Sequence, residues 1–176
     1  MKAGPKQEQG FTLIEVLAAI IILSIVSLVL TSYFINAMSY AKANQNKTIM
    51  VNLARNALFY AEKQDFDEWE PYLKAKGNIG FADVCIDVPC NYSSLVKDDA
   101  VLQKVLNPSI NGITYMINIS YQAEIYNQMK ISEDMIKQRS ADYLIPVLIT
   151  VRSPEKNGGN SAQTVVEGYI TDEEIR

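Results

Sequence analysis

From Phe11 to Tyr33 the chain reads FTLIEVLAAIIILSIVSLVLTSY, 23 residues in which Glu15 is the only charge. At the helical rise this stretch covers roughly 34 Å, enough to cross the hydrocarbon core of a bilayer. A core helix of a soluble domain keeps one polar face, whereas this run is apolar on every face. It therefore needs lipid or other apolar helices around it. The segment before it, MKAGPKQEQG (Met1–Gly10), is short and polar, with cations at Lys2, Lys6 and the amino terminus. Cations at this end hold it on the cytoplasmic side and send the rest of the chain outward.

A plain signal anchor shares these features. A conventional secretory signal also has a cleavage candidate in the small-x-small tripeptide Ala41-Lys42-Ala43, but that site lies far beyond the end of the apolar stretch. Neither reading accounts for Glu15. A carboxylate within a membrane helix is costly and normally has a partner. The chain places no cation near it below the membrane surface. Cleavage before Phe11 would create an ammonium group four residues away, and a neighbouring subunit could present its own to Glu15.

Gly10-Phe11-Thr12-Leu13-Ile14-Glu15-Val16 resembles the processing motif of type IV prepilins and type II secretion pseudopilins. The resemblance implies cleavage between Gly10 and Phe11 by a prepilin peptidase, N-methylation of Phe11, and a role for Glu15 in methylation and subunit registry. It covers about the first thirty residues. The apolar stretch lacks the glycine and proline that many major pilins carry in this helix, where it unwinds on assembly. Its polar interruptions are Ser24, Ser27, Thr31 and Ser32.

No Gly or Pro occurs between Phe11 and Glu70, so the helix is expected to continue beyond the membrane as an amphipathic segment over 34–70. Met50, Leu53, Ala54, Ala57, Leu58 and Ala61 recur at helical spacing and should pack on a globular head. The helix is expected to end near Lys63, with Pro71 forbidding easy continuation. Residues 74–112 are turn-rich and read as an irregular connection, with Val101–Leu106 able to add a helical turn. ITYMINISY (Ile113–Tyr121) alternates with period two, placing Ile113, Tyr115, Ile117, Ile119 and Tyr121 on one face. Leu144–Arg152 and Thr164–Thr171 are two further strand candidates, joined through the turn signal Asn157-Gly158-Gly159-Asn160. Pro146 suggests that the earlier strand starts late or lies at an edge. Residues 123–139 read as a short helix between strands.

The expected fold class is α+β: a long N-terminal transmembrane-plus-amphipathic helix packed on a small C-terminal antiparallel sheet, the pilin-like arrangement. The domain reading is a cleaved leader over 1–10, a membrane or filament-core helix over 11–33, its amphipathic continuation over 34–70, and a head over 71–176. The closing pair, a branched-aliphatic strand, a Gly-rich turn and a Val-rich strand, resembles small minor pilins and pseudopilins.

The chain has no histidine, which excludes Ser-His-Asp and Cys-His catalysis and every His-containing metal site. Sixteen basic and 20 acidic residues give a net charge of −4, and no basic stripe favours nucleic acid. The acidic runs Asp98-Asp99, Glu133-Asp134 and Asp172-Glu173-Glu174 sit in polar segments and read as solvated surface. Some pseudopilins hold calcium in a C-terminal loop, which keeps Asp172 and Glu173 as remote candidates. No cofactor is implied. Outside the cytoplasm, Cys85 and Cys90 in CIDVPC read as a local disulfide.

The functional expectation is a minor pilin of a type IV pilus-like filament. Its partners by resemblance are other pilin subunits, the prepilin peptidase, an assembly platform and ATPase, and the membrane. A pseudopilin of a type II secretion or competence system is the close alternative. A rival of another class is a membrane-anchored adhesin that never polymerises, for which the ten tyrosines could supply an aromatic binding patch. The expected location is a single-pass membrane protein with an extracytoplasmic head, then an extracellular or periplasmic filament.

Overall fold

A computed structural model of the chain describes residues 10–80, 92–93, 95–154 and 162–175. It divides into two compact units, one ending at Gln45 and the other running from Asn46. Helix α1 (Leu13–Ala61, 49 residues) begins in the first unit and ends in the second. Up to Gln45 every described residue is exposed. From Asn46 onward one face of the helix is covered. Met50, Leu53, Ala54, Ala57 and Ala61 are buried, and their spacing traces a single stripe along the helix. Alanines at three of these five places let the helix backbone lie close to what it packs on.

The covering element is a four-stranded antiparallel sheet of order β1-β4-β5-β6, formed by β1 (Asn78–Gly80), β4 (Met116–Tyr121), β5 (Leu144–Arg152) and β6 (Gln163–Thr171). Strand β5 carries Ile145, Val147, Ile149 and Val151, all fully buried, on its inner face. Ile117 and Ile119 of β4 and Ile170 of β6 continue that face and share one hydrophobic cluster with α1. The close approach of α1 to β6 depends on Gly168, because a Cβ there would lie 2.5 Å from a Leu58 methyl. The buried Tyr115 hydroxyl donates to Asn46 Oδ1 at 2.7 Å, adding a polar tie between α1 and the segment entering β4.

Helix α2 (Phe66–Lys76) is set by its ends. The Asp65 carboxylate accepts from the Asp67 N–H at 3.0 Å, a side-chain cap for the first turn. At the other end Gly77 adopts φ 81°, and its N–H reaches Leu73 O at 2.8 Å, the left-handed stop that glycine accepts most readily. Phe66, Trp69 and Leu73 are buried between these caps. Helix α1 ends at Ala61, close to the expected end near Lys63, but the reading of Pro71 as a bar to helix is corrected: Pro71 lies inside α2. Asp65 can cap a new helix, and Pro71, in its second turn, costs that helix the one backbone bond its N–H would have made to Asp67 O.

The connection expected over 74–112 holds more structure than its turn residues suggest. It contains β1, helix α3 (Asp99–Leu106) and the small strand β2 (Ser109–Ile110), which pairs with β3 (Ile113–Thr114). The Asp98 carboxylate accepts from the Val101 N–H at 3.2 Å and caps α3. Ile113–Tyr121 is not one strand but β3 and β4, interrupted at Tyr115, whose N–H turns to Pro108 O at 2.8 Å. Tyr115, Ile117 and Ile119 still point into the core as the alternation requires. Residues 123–139 form two helices, α4 (Ala123–Lys130) and α5 (Met135–Ser140), in place of one. Asp134 caps the second through the Ile136 N–H at 2.9 Å.

Pro146 is corrected as well. It lies within β5, a central strand, rather than before it or on an edge. The N–H it lacks would face Gln122, the residue just after β4 ends. Gln122 donates to Pro146 O at 2.9 Å, while the Gln122 carbonyl accepts from Tyr126 N–H at 3.1 Å as α4 begins. The start of a helix thus supplies the partner that proline cannot. The Asn157–Asn160 turn and the Cys85–Cys90 pair lie outside the described residues.

Candidate functional site at the start of the long helix

Gly10, Phe11 and Thr12 precede α1, and Phe11 is 88% exposed. Glu15 stands in the first turn of the helix, where a carboxylate faces the positive end of the helix dipole. Its Oε2 accepts two hydrogen bonds from Thr12, one from the backbone N–H and one from the hydroxyl, each at 2.8 Å. The carboxylate reaching back to the N–H before the helix is half of a capping box. Thr12 was missed in the sequence reading, although Thr-x-x-Glu before an apolar run is the signal for such a cap. Glu15 therefore has polar partners within its own chain, and its negative charge remains without a cation among the described residues.

Beyond this turn the helix offers a mainly apolar surface as far as Met38. Leu13, Ile14, Leu17, Ile20, Ile21, Leu23 and their successors to Met38 are large, apolar and exposed. Ser24 and Thr31 do not interrupt it, because their hydroxyls donate to Ile20 O at 2.7 Å and Ser27 O at 2.8 Å. Bonding back to the preceding turn is how such residues satisfy themselves in an apolar helix. Helix α1 is long and apolar enough to cross a membrane. Tyr33 and Tyr40 follow the most apolar part and are exposed too, and tyrosine favours a membrane–water boundary.

The other candidates are placed apart from this turn. Asp172 is held locally, its carboxylate accepting from the Glu174 N–H at 2.9 Å, and Asp98 and Asp134 serve as helix caps. Among the described residues no group of three acidic or cysteine side chains converges to hold a metal ion.

Residues 5–31 match the family model for the prokaryotic N-terminal methylation motif. No curated protein and no solved structure matches the chain. That motif ahead of a 49-residue helix, followed in the chain by a small antiparallel sheet, makes the chain similar to type IV prepilins over its N-terminal segment, with an α+β architecture consistent with a pilin-like fold.

Proposed function

We propose that the protein is a structural subunit, a minor pilin, of a type IV pilus-like filament. The observation that carries this reading is the exposed apolar surface of α1 from Leu13 to Met38 with Glu15 in its first turn. In the membrane, lipid covers that surface; in a filament, copies of similar helices do. Cleavage between Gly10 and Phe11 and methylation of Phe11 prepare the new terminus. Its ammonium group is the cation that Glu15 lacks, offered by the neighbouring subunit during assembly. Prepilin peptidase, a platform protein and an assembly ATPase are the partners of this route. The same features serve a pseudopilin of a type II secretion or competence system, and neighbouring genes for a secretin, competence factors or a retraction ATPase separate the two.

Glu15 variants test the assembly step. Glu15→Ala should leave the precursor in the membrane and cleaved, yet cut its share of sheared filaments to a small fraction of wild type. Glu15→Gln keeps the shape and the Thr12 bonds but loses the charge, and should fail similarly. Wild-type incorporation by both variants refutes the ion pair and favours a membrane-anchored module that does not polymerise.

A further inference from the structure

The sheet has two edges, and they are finished differently. Strand β1 is three residues long, and the outward groups of Gly80 are occupied. The Gly80 N–H donates to the Tyr92 hydroxyl at 3.0 Å, and that hydroxyl donates to Gly80 O at 3.4 Å. Burial pushes the Tyr92 hydroxyl up from its ordinary value, against the lowering effect of the Gly80 bond, so the proton it donates is kept. This edge is short and tied down at Gly80.

Strand β6 is nine residues long and pairs with β5 without a bulge from Gln163 to Thr171. The Ser153 N–H donates to Ala162 O and the Asp172 N–H to Tyr143 O, each at 3.0 Å. Those bonds fix the parity of the ladder: even-numbered residues of β6 exchange bonds with β5, and odd-numbered ones face away. The backbone groups of Val165, Glu167 and Tyr169 therefore point to the open side. Among the described residues nothing bonds them, and all three residues are exposed, Val165 at 46% and Tyr169 at 43%. The usual protections of an edge, lysine, proline or a bulge, are absent from β6.

We propose that the β6 edge is a docking site for an extended, basic strand of another protein, which adds to the sheet as a fifth strand. Main-chain bonds to Val165, Glu167 and Tyr169 give the affinity. In antiparallel addition, the incoming residue opposite Glu167 and those two places to either side share the face of Glu167, Val165 and Tyr169. The matching segment has lysine or arginine at the centre and apolar residues two places away on each side. Charge selects this occupant: residues 163–176 carry Glu167, Asp172, Glu173 and Glu174 against the single cation Arg176, and Arg152 of β5 stands at the far end of the strand, bonded to Gln163, away from the central Glu167. The same charge disfavours a second copy, since symmetric pairing of β6 with itself sets Glu167 against Glu167. This site lies on the head and does not depend on the filament reading.

The test uses the full chain in lipid nanodiscs and a fluorescein-labelled peptide, Ser-Val-Thr-Lys-Thr-Val-Ser, followed by anisotropy and amide exchange. Saturable binding is expected, with slowed exchange at Val165, Glu167 and Tyr169. Methylating the peptide nitrogens of valine and lysine should abolish binding, and methylating those of threonine should not. Glu167→Lys should shift preference by about fivefold toward a second peptide, Ser-Val-Thr-Glu-Thr-Val-Ser, the size of a cross-strand charge pair. Val165→Pro removes one outward N–H at an edge position that tolerates proline and should weaken binding. Absence of saturable binding, equal binding by both methylated peptides, or indifference to Glu167→Lys overturns the proposal. A Val165→Cys/Tyr169→Cys double variant, in which self-pairing would set cysteine against cysteine, overturns it too if it forms disulfide-linked dimers efficiently.

Discussion

The two parts of α1 obey the same helical geometry and differ in what covers them. From Leu13 to Gln45 side chains of every orientation are exposed and mostly apolar. From Asn46 to Ala61 small and apolar residues keep to one face, and that face is buried against the sheet. A helix that finds its partner within its own chain needs a stripe. One that waits for lipid or for other subunits needs an apolar surface all round, and the sequence records which kind each part is.

Matched substitutions in the two parts break or sharpen this contrast. The largest effect is expected from Leu53→Ala, where truncating a buried side chain should cost the head about 2–5 kcal/mol in denaturant unfolding. Leu23→Ala, in the part with no intramolecular cover, should leave the head's unfolding midpoint unchanged. Enlarging side chains should show the same asymmetry at a smaller scale. Ala57→Leu has no room and should destabilise by about 1–3 kcal/mol, while Ala19→Leu should be silent in the same assay. Tyr115→Phe removes the bond to Asn46 and should cost about 1 kcal/mol. Ser24→Ala should be the mildest, since its hydroxyl bonds only its own helix at Ile20 O. If both members of a matched pair move the head equally, the two parts are not distinct in the way described.

The features legible from sequence were those written as long periodic signals. The core stripe of α1 and the limits of β5 followed from helical spacing and from a run of branched residues. The difficulties arose where one residue's usual rule was overridden by a neighbour. Pro71 looked like a stop, but Asp65 starts a new helix ahead of it. Pro146 looked like an edge residue, but the start of α4 takes the Gln122 carbonyl that it leaves unpaired. Strand β1 is too short to show alternation, and its partner in β4 lies far along the chain. Glu15 was conspicuous as a lone charge, while Thr12, which holds its carboxylate, passed as one more residue of a motif. The free edge of β6 was not legible at all, because strand order is a property of the fold.

The central claim is that Phe11 becomes the working end of an assembly helix. Intact mass and N-terminal sequencing of the protein recovered from membranes and from sheared filaments test it most directly. The account predicts a chain that starts at N-methylated Phe11 in both pools. A chain starting at Asn44 would mean an ordinary secretory signal, and one retaining Met1–Gly10 would mean a simple anchor; either result contradicts it.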